Sequence, residues 1–568
     1  MNNDEEKALL VKHAPVLKFD ERELFFPTAV ETYIATSYLV VEGHEMLQPG
    51  EVTPEHLDGT LGVDAYLKFV SDHDRRAVLK EEAKRLAGKL LGPRLGRVGL
   101  FARVLDSLFI LSVVLRPTTP RLTTVAASLK ADKYDLHRTP ICYGRVVSEA
   151  GWLVLHYAYF YVMNDWRSGY RGLNDHEADW EQAWVYLDPS DLRPVWVAAS
   201  SHEHHGADLR RHWDDPELRR DGDRPVLFVG AGSHALFFRS GDYVSRIEVP
   251  GFAWLLRARR WVRDFLRIPV EDTERGLGPA FGVPFVDAAP GNGRRIEDWD
   301  VRLLDNEANW CGSFRGLWGL DTGDPAQGER GPSGPKFKRD GQLRLSWVDP
   351  VGFAGLHGYD PPSQADFAQS LPRVENALRS LDQQIAEVNV VLPAPTPGRT
   401  GGAGARGEQQ IEQMTELLRQ RTELDDQRRD LRNGRLRRVG IRDHLKDPAI
   451  PIAPPRETGW LLAIWAATSV PLLLVGLAVP LVIQDLGMIV PLAIIAGVSS
   501  LLEQLVRRRF QAVLRLGLLY AALTATMIFV GVVAVSMYAM GVTLGAAAVM
   551  LFVNNLGELR ALRRARQG

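Results

Sequence analysis

The sequence has few cysteines, few lysines and almost no net charge. Its two cysteines, Cys142 and Cys311, are too few for a disulfide framework or a zinc ribbon, and they fit a reducing compartment. Only 12 of the 68 basic residues are lysine, a bias that indicates a bacterial source with a GC-rich genome. The net charge of −2 gives no reason to expect a nucleic-acid partner.

The N-terminus also lacks the pattern of a secretion signal. Residues 1–7 are acidic and contain neither a basic n-region nor an apolar h-region. We therefore expect the part of the chain before the first membrane span to stay in the cytoplasm. A length of 568 residues is too great for one core, so two or more folded units are expected.

Residues 1–360 have the pattern of a mainly β-sandwich domain. Short runs rich in Val, Tyr, Phe and Trp alternate with Gly, Pro, Asn and Asp, and most of them have no helical pattern between them. A helical insertion is predicted at about 72–116, and the segment rich in Gly, Pro and Trp at about 271–349 is predicted to wrap the sandwich. The predicted strands are 141–147, 152–163, 182–187, 195–200, 226–230 and 243–249.

Residues 361–446 are predicted to form a coiled-coil hairpin. Apolar residues recur at spacings of three and four on both sides of a linker at 392–407 that is rich in Pro and Gly. With only a few heptads on each arm, an intramolecular stalk is favoured over a long dimeric rod. A homo-oligomer formed through this hairpin or through the spans is left open.

Residues 457–557 are predicted to be four transmembrane helices, at about 460–483, 486–502, 516–535 and 537–556. The first contains 24 residues without a charge, and about 20 apolar residues suffice to cross a bilayer. Arginine-rich segments flank the spans at three places, one of which is the basic tail 558–568. All three lie on the same side of the membrane only if there are four spans. The positive-inside rule then places both termini in the cytoplasm and the protein in the inner membrane.

The segment from Asn174 to Glu181 is the best candidate for a metal site. If it enters a strand, Asp179 and Glu181 share one face, and His176 reaches the same edge. Histidine and carboxylates suit Mg²⁺, Mn²⁺, Ca²⁺ or Zn²⁺, and only geometry would choose among them. The alternative is a polar loop whose charges are solvated before a buried strand begins.

Three further histidines follow predicted strands. His202 and His205 come after the strand at 195–200, and His234 follows the strand at 226–230. Loops at one end of a sandwich collect functional residues, so these histidines are candidates for catalysis beside the metal site. The alternative for each is an ordinary hydrogen-bonding histidine.

Several blocks between residues 10 and 355 resemble, in order, the vacuolar protein sorting-associated protein 62 family. That family is itself similar to the necrosis- and ethylene-inducing-like proteins, whose heptapeptide Gly-His-Arg-His-Asp-Trp-Glu matches residues 175–181. The blocks are His13-Ala-Pro-Val through Pro27, Tyr157-x-Tyr-Phe-Tyr-x-x-Asn-Asp165, Asp175-His-x-x-Asp-Trp-Glu181, Ser200-Ser-His202 with His205-Gly206, Gly232-Ser-His-Ala235 and Gly331-Pro-Ser-Gly-Pro335.

This resemblance implies a β-sandwich that holds a divalent cation near one end. It implies His176, Asp179 and Glu181 as ligands, with Asp165 as the nearest candidate for a further upstream aspartate. The chain has Glu177 and Ala178 where the family has Arg and His, and with the missing secretion signal this speaks against toxin activity.

Three functions are compatible with these features. The favoured one is a membrane-anchored cytoplasmic module that binds lipid or sugar head groups through a divalent cation. The second is a metal-dependent hydrolase in which His202, His205 or His234 acts as the base. The third is a small channel or transporter regulated by the cytoplasmic domain.

Overall fold

The computed structural model describes most of the chain up to residue 432. The described residues are 1–78, 122–165, 175–201, 206, 209–248, 282–304, 308–322, 331–364, 367–391, 403–432 and 451, with a few isolated residues between 464 and 542. The chain divides into two compact units, residues 1–263 with 268–454, and residues 264–267 with 455–568.

Among the described residues, strands outnumber helices in the N-terminal region. The strands are β1 (Val16–Lys18), β2 (Tyr38–Val41), β3 (His44–Leu47), β4 (Ala65–Lys68), β5 (Ile141–Glu149), β6 (Trp152–Asn164), β7 (His176–Leu187), β8 (Pro194–Ala199), β9 (Arg210–His212), β10 (Arg220–Asp221), β11 (Arg224–Val229), β12 (Leu236–Phe237), β13 (Gly241–Glu248), β14 (Gly282–Ala289), β15 (Arg295–Ile296) and β16 (Asp300–Leu303). The helices are α1 (Asn3–His13), α2 (Val30–Thr36), α3 (Asp72–Ala77), α4 (Thr123–Lys133), α5 (Asn309–Gly312), α6 (Leu345–Val348), α7 (Pro350–Phe353), α8 (Phe367–Val391) and α9 (Ala403–Arg432).

A six-stranded sheet forms the centre of this region, in the order β16-β5-β6-β7-β8-β9. Strands β6 and β7 are buried along their whole length, which explains why β6 and the second half of β7 are almost continuously apolar or aromatic. The predicted strands at 141–147, 152–163 and 195–200 coincide closely with β5, β6 and β8. Strand β7 begins six residues earlier than predicted, so it includes the polar segment from His176 to Glu181.

A second sheet packs on one face of the first. Its order is β10-β11-β1-β15, with β12 paired to β11, and β1 lies parallel to β11. The two sheets share one set of buried side chains, which we call the inter-sheet core. It includes Leu17, Phe19, Leu155, Tyr157, Tyr159, Tyr161, Ala183, Val185, Leu187, Leu227, Val229 and Phe237.

The opposite face of the six-stranded sheet is covered by helices and a small sheet. Helices α2 and α4 and the three-stranded sheet β3-β2-β4 bury a second core against it. Three tryptophans, Trp180, Trp310 and Trp318, meet there with ring centroids 5.3 to 6.1 Å apart. The N-terminal region is therefore mainly β-sheet with some helices.

The segment predicted only to wrap the sandwich contributes strands to both sheets. Strand β15 pairs with β1, and β16 pairs in parallel with β5. Strand β14 pairs with β13 over eight residues. These strands were missed because they are short or begin among Gly and Pro residues, so their own sequences carry little period-two pattern.

Helices α8 and α9 lie where the coiled-coil hairpin is predicted. Ion pairs join Asp382 to Arg421 and Glu375 to Arg432, both at 2.7 Å, which shows that the helices run antiparallel. Their shared apolar residues are Val374, Leu378, Leu381, Leu417, Leu424 and Leu431. Helix α9 already begins at Ala403, within the predicted linker 392–407, and residues 392–402 lie outside the described residues.

Two further predictions fall largely outside the described residues. Of the helical insertion at 72–116, only residues 72–78 with helix α3 are described. The four predicted spans and the basic tail 558–568 are described at isolated positions or not at all. Within the part of the chain that the structure does describe, no helix has the length and apolar character needed to cross a membrane.

Candidate functional site

Strand β7 carries Asp179 and Glu181 on its face toward the inter-sheet core. Asp179 lies opposite Tyr161 of β6, and Glu181 lies opposite Tyr159. Both tyrosines belong to the inter-sheet core, and both carboxylates are almost completely buried. The strand interpretation of this segment is therefore correct, and the alternative of a solvated polar loop is not.

The regular alternation of β7 is interrupted just before these carboxylates. Ala178 has a φ of 60°, in the left-handed region that is rare for residues other than glycine. Glu177 consequently points away from the inter-sheet core, and its two carboxylate oxygens accept the backbone N–H groups of Phe69 and Val70 at 2.7 and 2.9 Å. A strictly alternating strand would have placed Glu177 on the same face as Asp179.

Three donors fix the carboxylate of Asp179. Its Oδ1 accepts the backbone N–H of Trp180 at 2.9 Å. Its Oδ2 accepts the side-chain amide of Asn164 at 3.2 Å and pairs with Nδ1 of His234 at 2.8 Å. The structure thus brings His234, in the turn between β11 and β12 of the second sheet, together with Asp179 of the first.

A second carboxylate, Glu23, lies on the other side of the His234 ring. Glu23 Oε1 is 3.8 Å from His234 Nε2, which is an ion-pair distance and too long for a hydrogen bond. The same oxygen accepts the backbone N–H groups of Leu24 and Phe25 at 2.8 and 3.1 Å, and Oε2 accepts the N–H of Gly232 at 2.9 Å. Sequence reasoning missed Glu23 as a site residue, because no spacing rule connects it to strand β7.

The ring of Tyr161 lies flat against His234. The ring centroids are 3.8 Å apart and the planes differ by 6°. Burial raises the pKa of the Tyr161 hydroxyl well above its usual value, and the carboxylates of Glu181, Asp179 and Glu23 raise it further. Three carboxylates therefore raise the pKa of the same phenol. We call Glu23, Asp179 and Glu181, with Tyr161 and His234, the acidic site.

The charge of His234 follows from its two neighbours. Burial alone would lower the pKa of the imidazole, but the contacts with Asp179 and Glu23 outweigh it and raise the pKa to about 9. His234 is therefore protonated at neutral pH, which suits a hydrogen-bond donor better than a general base. The other two candidate bases, His202 and His205, lie outside the described residues.

Asp165, the predicted additional ligand, lies against the turn that carries His234. Its backbone N–H donates to the carbonyl of Gly232 at 2.9 Å. Gly232 has a φ of +75°, and a Cβ at this position would collide with the Asp165 carbonyl. The approach of the two backbones thus requires glycine.

His176 and Glu181 have contacts that bear on metal binding. His176 is buried, and its Nδ1 is 2.8 Å from the carbonyl of Ala178. That carbonyl places the proton on Nδ1 and the lone pair on Nε2, which is the tautomer that a metal-binding histidine needs. Glu181 Oε2 accepts the hydroxyl of Ser200 at 2.6 Å.

These residues fit a divalent cation in the chemistry of their donors. Two buried carboxylates on one strand face and an imidazole with its lone pair on Nε2 are hard to borderline ligands. Within the described ranges, however, no three His, Cys, Asp or Glu side chains stand together in a metal-binding arrangement.

Comparison with known proteins gives a limited result. No protein-family model and no curated protein matches the chain. The resemblance to the vacuolar protein sorting-associated protein 62 family therefore has no support from these comparisons.

Solved structures that are similar to part of this chain include necrosis- and ethylene-inducing proteins. Necrosis and ethylene inducing protein 2 from the causal agent of cocoa's witches' broom disease is 27% identical over 17% of this chain and 44% of its own, with a TM-score of 0.15. The NLPPya protein in complex with mannosamine is 20% identical over 17% of this chain and 43% of its own, with a TM-score of 0.14. The match spans less than half of each of these proteins, and at such TM-scores it carries no argument about function.

Proposed function

We propose that this chain is a membrane-anchored cytoplasmic module that binds lipid or sugar head groups through a divalent cation at the acidic site. The two sheets that share the inter-sheet core are, in this proposal, the predicted β-sandwich. The C-terminal part anchors it to the inner membrane, with both termini in the cytoplasm. The proposed ligands are Asp179 and Glu181 of the acidic site together with His176 at the start of β7, and Mg²⁺, Ca²⁺, Mn²⁺ and Zn²⁺ are the candidate ions.

The observation that carries the proposal is that three buried carboxylates, Asp179, Glu181 and Glu23, lie on the side of the central sheet where Tyr161 stacks on His234. Asp179 and Glu181 lie opposite adjacent tyrosines of β6, and Glu23 reaches the same place from the second sheet's N-terminal segment. Burying carboxylates is costly unless their charge is compensated, and protonated His234 supplies only one positive charge against three carboxylates, so the site favours a further cation as ligand. A cation held by carboxylates can in turn recruit phosphate or hydroxyl oxygens of a head group.

The protonation state of His234 favours a binding function over hydrolysis. A base that activates a metal-bound water must be neutral, and His234 is held in its protonated form by Asp179 and Glu23. Phosphoesterase turnover by the full chain that disappears in Asp179→Asn would reverse this preference.

The proposal is tested by measuring Mn²⁺ bound to the full chain by electron paramagnetic resonance. We expect binding by the wild type and its loss in the double variant Asp179→Asn with Glu181→Gln. Asp188→Asn is the matched control, because Asp188 is a buried carboxylate just beyond the far end of β7 that accepts hydrogen bonds from Ser190 and Ser363. Wild-type protein without bound Mn²⁺, or equal binding by the double variant, would refute the cation site.

The proposed binding of lipid or sugar head groups is tested with vesicles. The full chain is reconstituted into neutral vesicles, and binding of a second set of vesicles that contain phosphatidylglycerol or a glycolipid is measured with Mn²⁺ and with EDTA. Binding that requires both the ion and Asp179 supports the proposal, whereas binding that EDTA leaves unchanged contradicts it.

A further inference from the structure

The Glu23 carboxylate accepts more hydrogen bonds than a role in charge balance alone would require. Its carboxylate accepts three backbone N–H groups, those of Leu24, Phe25 and Gly232, at 2.8 to 3.1 Å. Two of them follow Glu23 directly, and the third belongs to the turn that leads to His234. The carboxylate therefore joins the segment after β1 to the turn after β11.

The His234 ring is held on three sides as a result. Nδ1 contacts Asp179 Oδ2 at 2.8 Å, Nε2 faces Glu23 Oε1 at 3.8 Å, and the ring plane rests on Tyr161. Its backbone is in the left-handed region with a φ of 57°, and its N–H donates to the carbonyl of Gly230 at 2.9 Å. These contacts restrict the orientation of the imidazole.

We propose that Glu23 is a positioning residue of the acidic site, which acts on Asp179 through His234. Glu23 fixes the ring, and the ring fixes the direction in which the Asp179 carboxylate presents its oxygens. Groups that orient a ligand in this way are needed for full metal affinity even though they do not touch the ion. This inference rests on the proposed function, because Asp179 is there a cation ligand.

The test combines three variants of the full chain with two measurements. Glu23→Gln keeps the size and one acceptor oxygen but removes the charge, His234→Gln removes the intermediary, and the third variant carries both changes. The first measurement is the dissociation constant for Mn²⁺. The second is the Nδ1–H signal of His234 in protein labelled with [¹⁵N]histidine, assigned by its absence from His234→Gln and recorded at one fixed pH.

We expect Glu23→Gln to weaken Mn²⁺ binding roughly tenfold and to shift or broaden the His234 signal. The double variant should bind Mn²⁺ no more weakly than the weaker of the two single variants, because Glu23 acts through His234. The control Asp188→Asn should change neither measurement. Losses that multiply in the double variant, or an unchanged His234 signal in Glu23→Gln, would overturn the proposal.

Absence of the cation site would give a result that differs from failure of the Glu23 positioning role. If the wild type binds no Mn²⁺, the cation site is refuted, and the His234 signal alone decides whether Glu23 positions the ring. If Glu23→Gln does not fold, Glu23→Asp takes its place, since it keeps the charge but withdraws the carboxylate from the Gly232 N–H. A shifted signal in Glu23→Asp supports the positioning role, and an unchanged signal refutes it.

Discussion

The ring of Tyr161 stacks on the imidazole of His234 with 3.8 Å between centroids. Because His234 is protonated at neutral pH, this contact places a cation on an aromatic face. We predict that Tyr161→Phe, which keeps the ring, changes the free energy of unfolding by less than about 1 kcal/mol. Tyr161→Leu should cost about 2 to 3 kcal/mol, because it loses the stacking and leaves a cavity. Urea unfolding followed by tryptophan fluorescence distinguishes the two, and equal costs would contradict the prediction.

Ala178 offers a test of backbone strain. Glycine at a φ of 60° relieves about 1 to 2 kcal/mol, which roughly offsets about 0.8 kcal/mol for the buried methyl and about 0.5 to 1 kcal/mol for glycine's conformational entropy, so Ala178→Gly should be nearly neutral. Ala183 is buried in the same strand without a positive φ, and Ala183→Gly should cost at least about 1 kcal/mol. Thermal unfolding gives the free-energy cost of each variant. The difference between the two costs measures the backbone strain at Ala178, and identical costs would show that there is none.

Glu177 is predicted to stabilise the junction between β7 and the segment after β4. Glu177→Ala leaves the buried N–H groups of Phe69 and Val70 without their acceptors and should cost about 2 to 4 kcal/mol. Glu177→Gln retains one acceptor oxygen and should cost roughly half as much. The free energies are measured by urea unfolding, and the prediction fails if glutamine is as costly as alanine.

Glu149 makes the stability of the fold depend on pH. Burial raises the pKa of its carboxyl from 4.5 to about 7, and the Asp349 carboxylate adds to the effect, while the Val351 N–H, His357 and Arg145 oppose it. Because the pKa is raised in the folded state, the stabilising contribution is complete below pH 4.5 and is lost as the pH rises through about 7.

Glu149→Gln should therefore stabilise the protein at pH 8 by roughly 1 kcal/mol, after allowance for solvent screening, and have little effect at pH 4. The glutamine oxygen can still accept the Val351 N–H. Thermal unfolding at several pH values tests this. Asp64→Asn, at an exposed carboxylate, is the control variant. A profile that Glu149→Gln leaves unchanged would contradict the assignment.

The sequence predicts β6 well because burial on both faces makes this strand long and apolar. Strands β5, β6 and β8 lie close to their predicted positions, and the shared face of Asp179 and Glu181 follows from the period of a strand. Local pattern could not predict the bend at Ala178, since neither its residue type nor its neighbours indicate a positive φ. It also could not predict which histidine meets Asp179.

Long-range contacts account for the other differences. Glu23 and His234 are brought to Asp179 by the packing of two sheets, and no spacing within either segment encodes that meeting. Strands β15 and β16 exist because they complete the edges of other strands, so their few residues need no strong strand preference of their own. The signal that could have found Glu23 is its place in the first of the blocks that carry the family resemblance.

The pairing of β1 with β15 and of β5 with β16 also has a consequence for biosynthesis. Lys18 reaches its partner Arg295 only after the intervening chain has been made, which takes on the order of tens of seconds on a ribosome. Until then both sheets have open edges, and such edges are prone to pair with other chains. Nascent protein that ends before residue 295 should therefore depend on chaperones, and release of the chain up to Leu303 is the step at which both sheets can gain their last strands.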